Sequence, residues 1–119
     1  MAFAVEEIPN EGMLFRKIHR THFDPNRGVV SSAAFKQERM SVNWEKYKSA
    51  EESKDVNSSA VVVLLAEDCR QLGQSVEHTP IELNQPFGPN QAHAEVCGNK
   101  TNAISHQLRD KAKTVWLKL

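Results

Sequence analysis

The residues that could do chemistry fall in two stretches. The first is Leu14-Phe15-Arg16-Lys17-Ile18-His19-Arg20-Thr21-His22, followed by the turn Asp24-Pro25-Asn26-Arg27-Gly28 and by Ser31-Ser32. It gathers guanidinium, ammonium, imidazole and hydroxyl groups within a short length of chain. The second is Asn90-Gln91-Ala92-His93-Ala94-Glu95-Val96-Cys97-Gly98-Asn99-Lys100-Thr101. On an extended strand His93 and Glu95 point to one face, about 7 Å apart. That spacing suits a general acid/base histidine beside an orienting carboxylate. A sheet face with one satisfied histidine and a surface ion pair uses the same residues. With Arg16 and Ser32 across a cleft, the candidate catalytic set is His93, Glu95, Arg16 and Ser32. Gly98-Asn99-Lys100-Thr101 marks a strand handing over to a helix, where free backbone N–H groups beside a lysine can hold an anion. The candidate anion-binding residues are therefore His19, Asn90, Lys100 and Thr101. The pattern lacks the spacing of a Walker loop, and a plain turn with an N-cap is the competing reading.

Other chemistries find less support. His19 and His22 are three apart, a metal-ligand spacing only on a helix. A strand separates them onto opposite sides unless the chain bends at Arg20. His78, His93 and His106 show no ligand pairing, and neither cysteine has a neighbouring ligand, so no metal and no cofactor is expected. Nothing resembles a G-x-S-x-G elbow around Ser31-Ser32; turn or cap hydroxyls are the plainer reading. Arg16, Lys17, Arg20 and Arg27, interleaved with Phe15, Phe23 and Phe35, could hold RNA by charge and stacking. Yet Lys plus Arg equals Asp plus Glu at 15 each. The chain as a whole gives no electrostatic case for nucleic acid. Net neutrality permits self-association.

These residues need elements to position them. Leu14 to His19 alternates with apolar residues on both sides and reads as a strand. Met40–Trp44 reads as a short strand or a helix lead-in. Ser49 and Glu52 have the spacing of a capping box. Ala60 to Ala66 is rich in β-branched residues without alternation, the mark of a strand buried on both faces. Glu67 to Leu72 makes a short helix with Gly73 as its left-handed cap. Gln74–Thr79 and Ala92–Cys97 are further strands, separated by a loop over Glu82–Gln91. Thr101 N-caps a last helix with Ile104, Leu108, Ala112 and Val115 at helical spacing, Trp116 and Leu117 tucking its end onto the sheet. The expectation is one α+β domain over residues 1–119, with 1–12 an extended lead-in. It has a small mixed or antiparallel sheet of four to five strands and a C-terminal amphipathic helix packed on one face.

The longest apolar run, Ala60 to Ala66, is far short of the roughly 20 residues of a membrane span. Cys69 and Cys97 are far apart and read as free thiols in a reducing compartment. With no signal peptide, a cytoplasmic location is expected.

Leu14-Phe15-Arg16-Lys17-Ile18-His19, Ser31-Ser32-Ala33-Ala34-Phe35-Lys36 with Met40-Ser41-Val42, and the stretch Asn90–Val96 with Gly98–Thr101 together resemble a group of small uncharacterised bacterial proteins. The resemblance runs from about residue 12 to the C-terminus and implies a compact bacterial domain, with no activity or site residues attached. The order strand Arg, Ser-Ser, last-strand Glu is also similar to that of ADP-ribosyltransferase-like folds, where it would be Arg16, Ser31-Ser32 and Glu95. With no complete catalytic motif, the first expectation is a non-enzymatic interaction or accessory module of a bacterial cytosolic system, with protein partners. The alternatives are a small hydrolase or transferase using His93 and Glu95 with Arg16 and Ser31-Ser32, and an RNA-binding module.

Overall fold

The computed structural model describes residues 3–82 and 88–118. Eight strands and three helices follow in chain order: β1 (Met13–His19), β2 (Phe23–Asp24), β3 (Val29–Val30), β4 (Arg39–Trp44), α1 (Ala50–Ser53), β5 (Ser58–Leu65), α2 (Ala66–Gln71), β6 (Ser75–His78), β7 (His93–Cys97), α3 (Asn102–Lys111) and β8 (Lys113–Leu117). Six strands form one antiparallel sheet in the order β6-β7-β4-β1-β5-β8, and β2 and β3 make a separate ribbon. The fold is α+β as expected, with more strands than the four to five anticipated.

The extra strand comes from the C-terminus. The helix anticipated through Val115 stops at Lys111, and Ala112 closes it by donating its N–H to Leu108. Thr114, Val115 and Trp116 are β-branched or aromatic, types that fit a pleated surface better than a helix. They extend along the open side of β5, pairing Ala60 with Leu117 and Val63 with Lys113. β5 thereby lies between β1 and β8. Its central Val61 and Val62 are both almost fully buried, as its unalternating sequence implies.

One face of the sheet holds the main core. Leu14, Ile18, Met40, Val42, Val62, Leu64, Ala94 and Val96 pack there with Phe35 and Leu108. Helix α3 closes this side against the 3₁₀ turn Ser32–Phe35, with the Ser105 hydroxyl donating to the buried Phe35 carbonyl at 3.0 Å. The capping box at Ser49 and Glu52 forms as read. Gly73 ends α2 with φ +80°, a conformation open to glycine without strain. The acidic lead-in is strapped down rather than loose. Ile8 is buried, the Glu6 N–H donates to His78 Nδ1 at 3.0 Å, and Arg70 Nη2 donates to the Ile8 carbonyl at 2.5 Å. Of the loop anticipated over Glu82–Gln91, residues 83–87 lie outside the described residues.

Candidate functional site

The site starts from a break in the sheet. β1 and β5 run in continuous register over six pairs, Met13/Leu65 to Ile18/Ala60, and the register shifts before His19/Ser58. β1 and β4 pair only at Leu14/Trp44 and Phe15/Asn43. The next residue on β1 is Arg16. By the two-residue period of a strand it belongs with Leu14 and Ile18, on the core side. Its guanidinium takes over where the ladder ends. Nη1 donates to the Ser41 carbonyl at 2.8 Å. Nε and Nη2 donate to the Ala34 carbonyl at 3.2 and 3.0 Å, and Nη2 also reaches Gln37 Oε1 at 3.2 Å. Arg16 thus joins β1 to β4 and to the 3₁₀ turn.

All four of these bonds go to uncharged acceptors, and among the described residues Arg16 has no carboxylate partner. Burial pushes its pKa down to about 10, so it is still a cation at neutral pH. A guanidinium has five N–H donors, and four bonds leave one of them unspent. A partly buried charge normally finds a counter-charge; here the protein supplies only dipoles.

Beside Arg16 lies a cleft of about 500 Å³, within the range of small-molecule sites, roughly 300–1,000 Å³. Phe15, Asn43, Ser41 and His93 line it, with His19, His22 and Asn90. The register explains the grouping. Asn43 pairs with Phe15 on one side and His93 on the other, so the three share a face. Ser41 is two residues along β4, on that same face. The chain bends after His19 into the 3₁₀ turn Arg20–His22, which turns both His19 and His22 toward the cleft.

The polar groups on this face are held by a fixed network. The Ala92 N–H donates to Asn90 Oδ1 at 3.1 Å, so Asn90 Nδ2 faces the other way and donates to Asn43 Oδ1 at 2.9 Å. That fixes the Asn43 amide with Nδ2 free of any described residue. His93 Nδ1 lies 2.8 Å from the Thr79 carbonyl. A carbonyl only accepts, so Nδ1 carries the proton and donates. Nε2 is then an acceptor, 3.3 Å from Ser41 Oγ.

The sequence candidates separate on this map. Arg16, His19, Asn90 and His93 come together. Glu95 shares the strand face with His93 but does not orient its ring. Its carboxylate takes both Arg39 Nη2 at 2.7 Å and Nε at 3.3 Å, and Arg39 holds its pKa below the ordinary 4.5. The orienting group is the Thr79 carbonyl instead. Ser32 opens the 3₁₀ turn, and Ser31 Oγ caps it by accepting from the Ala33 N–H; neither lines the cleft. Lys100 turns inward and donates to the carbonyls of Glu38, Val96 and Gly98. Thr101 Oγ1 accepts from the Ile104 N–H. Both close the β7–α3 turn, away from the cleft. The Arg16, Ser31-Ser32 and Glu95 set therefore does not assemble around one pocket. The basic stretch is divided too, with Arg16 turned inward and Lys17 paired with Asp55 at 2.6 Å. Among the described residues no three His, Cys, Asp or Glu side chains converge as metal ligands.

Sequence reasoning missed Ser41 and Asn43. Their signal was present, since two polar residues alternate with Met40, Val42 and Trp44 along one strand. That pattern reads equally as a solvated sheet face.

No family model, no curated protein and no solved structure matches this chain. That is in keeping with the resemblance to a group without an established activity, and no site residue carries over from a relative. Among the described residues no helix is long and apolar enough to cross a membrane.

Proposed function

We propose that this chain is a small binding module whose ligand is a compact organic anion, a carboxylate or phosphate ester, held in the cleft between β1, β4 and β7. The observation that carries this reading is Arg16. It is a partly buried cation with four hydrogen bonds to three uncharged acceptors, no carboxylate among the described residues and one unspent donor, at the wall of a cleft of about 500 Å³. An anion would supply the missing counter-charge, and His19 and His22 add donors at the rim. Phe15 offers an apolar floor for the body of the ligand. The free thiols Cys69 and Cys97 suit a reducing compartment such as a bacterial cytoplasm.

Calorimetric titration tests it with adenosine monophosphate and benzoate against the uncharged adenosine and benzyl alcohol. Only the anions are expected to bind. Arg16→Gln removes a charged hydrogen bond of about 1.5–3 kcal/mol, so it weakens binding at least roughly tenfold, since each 1.4 kcal/mol is a factor of ten. Equal binding of charged and uncharged members would overturn the reading.

A protein-interaction module is the second reading. Its support is Val115 and Leu117 on β8, 47% and 48% exposed.

A further inference from the structure

We propose that Ser41 is a nucleophile activated by His93, and that the cleft hydrolyses a small carboxylic ester whose far end is an anion anchored by Arg16. The inference rests on the anion-binding reading of the same cleft and goes beyond it from binding to a reaction.

Three observations converge on it. Ser41 is exposed on the cleft face, with its hydroxyl 3.3 Å from His93 Nε2. That separation is long for a finished hydrogen bond, as such pairs often are before a substrate tightens them. The imidazole already has the required tautomer, because the Thr79 carbonyl holds the proton on Nδ1. A nucleophile, a base within reach and a third group orienting the base are the recurring parts of an activated serine. Next, Asn43 lies two residues from Ser41 on the same face, about 7 Å away. Asn90 fixes its amide so that Nδ2 faces outward as a donor. A preset donor near the nucleophile is what a developing oxyanion needs. Finally, Arg16 Nη1 grips the Ser41 carbonyl at 2.8 Å. The anion anchor and the nucleophile are thus tied to one point of β4, which sets the distance between the charged end of a substrate and its ester.

The reaction balances without a cofactor. Ser41 Oγ bonds to the ester carbonyl carbon as its proton passes to His93 Nε2. The carbonyl π pair moves to oxygen, where Asn43 Nδ2 donates to it. The pair returns, the carbon–oxygen bond to the alcohol breaks, and the leaving oxygen takes the proton from Nε2. Water then attacks the acyl-serine with His93 accepting its proton. The acid leaves, and Ser41 Oγ recovers the proton.

The full chain is treated with a fluorophosphonate probe and the modified residue is mapped by mass spectrometry. In parallel, hydrolysis of p-nitrophenyl hemisuccinate is compared with that of uncharged p-nitrophenyl acetate. Labelling is expected at Ser41. The hemisuccinate is expected to be preferred at least tenfold in kcat/KM, and Ser41→Ala and His93→Gln each to lose at least a hundredfold. Mapping the label on the unmutated protein keeps the test valid if a variant does not fold. Absent labelling, labelling at Ser31, Ser32 or another serine, or undiminished turnover in Ser41→Ala overturns the nucleophile. If adenosine monophosphate still binds the unmutated protein in that case, the binding reading stands alone; if it does not, both fall.

Discussion

Asn90 does its work at one remove. It lines the cleft, but its amide is spent on Asn43 and is fixed by the Ala92 N–H. Asn90→Ala removes two part-buried hydrogen bonds, each worth about 1 kcal/mol. It also frees the Asn43 amide to turn over. The expected outcome is a modest fall in the melting temperature with a larger relative loss of ester turnover than of anion binding. Equal losses in both would mean that Asn43 has no separate role. At this scale the sequence was partly legible. Arg16 stood out for the dense basic and imidazole run around it, and His93 for its two-residue spacing to Glu95 on one strand face. Ser41 and Asn43 did not, because their meaning depends on which strands lie beside β4. Lys100 looked like an anion ligand for the converse reason. A lysine after a glycine turn can face a ligand or fold back onto carbonyls, and only the path of Glu38 and Val96 decides it.

At the scale of elements, local signals were sufficient wherever a single segment sets the outcome. The capping box, the glycine after α2 and the buried strand β5 all form from nearby residues. β8 was misread because its apolar residues continue the helical spacing of α3. The vacant edge of β5, far away in sequence, is what draws it into the sheet. The same strand bears on association. Its register shifts between the partners of Val61 and Val62, leaving Val115 as the extra residue. Lys113 and Lys118 bracket it. Bulges and lysines both discourage edge-to-edge pairing, so light scattering is expected to give a monomer. A dimer that dissociates on Val115→Lys would instead make β8 an interface and favour the protein-interaction reading.

The whole molecule shows how a chain with no net charge can hold a cationic cleft. The carboxylate at the cleft wall, Asp55, is spent on Lys17, and Glu95 and Glu6 are spent outside the cleft on Arg39 and Lys46. Tyr47 also donates to Glu6. Among the described residues Arg16, like Arg70 and Lys100, has only neutral acceptors, but of these three it alone lines the cleft. The hydrogen bonds of Lys46 and Lys17 lower Glu6 and Asp55, and Arg39 lowers Glu95. A carboxylate whose pKa is depressed on folding adds stability above its unfolded pKa. That stability is lost as pH falls through the folded value. The melting temperature is therefore expected to hold near neutrality and to drop as pH falls below the ordinary values of 4.5 and 3.8. Glu95→Gln should flatten part of that drop, and an unchanged profile would show that the Arg39 pair contributes nothing. An anion in the cleft should stabilise the fold by mass action, by about 2.7 kcal/mol at a hundred times its dissociation constant.

The most direct test of the cleft watches Arg16 itself. In nitrogen-15 labelled protein the Arg16 Nε–H resonance is followed as adenosine monophosphate, and then adenosine, is added. The account predicts a saturable shift with the phosphate-bearing ligand and none with adenosine, with His19, His93 and Asn43 moving in parallel. An Arg16 resonance that stays still while other surface cations respond would contradict it.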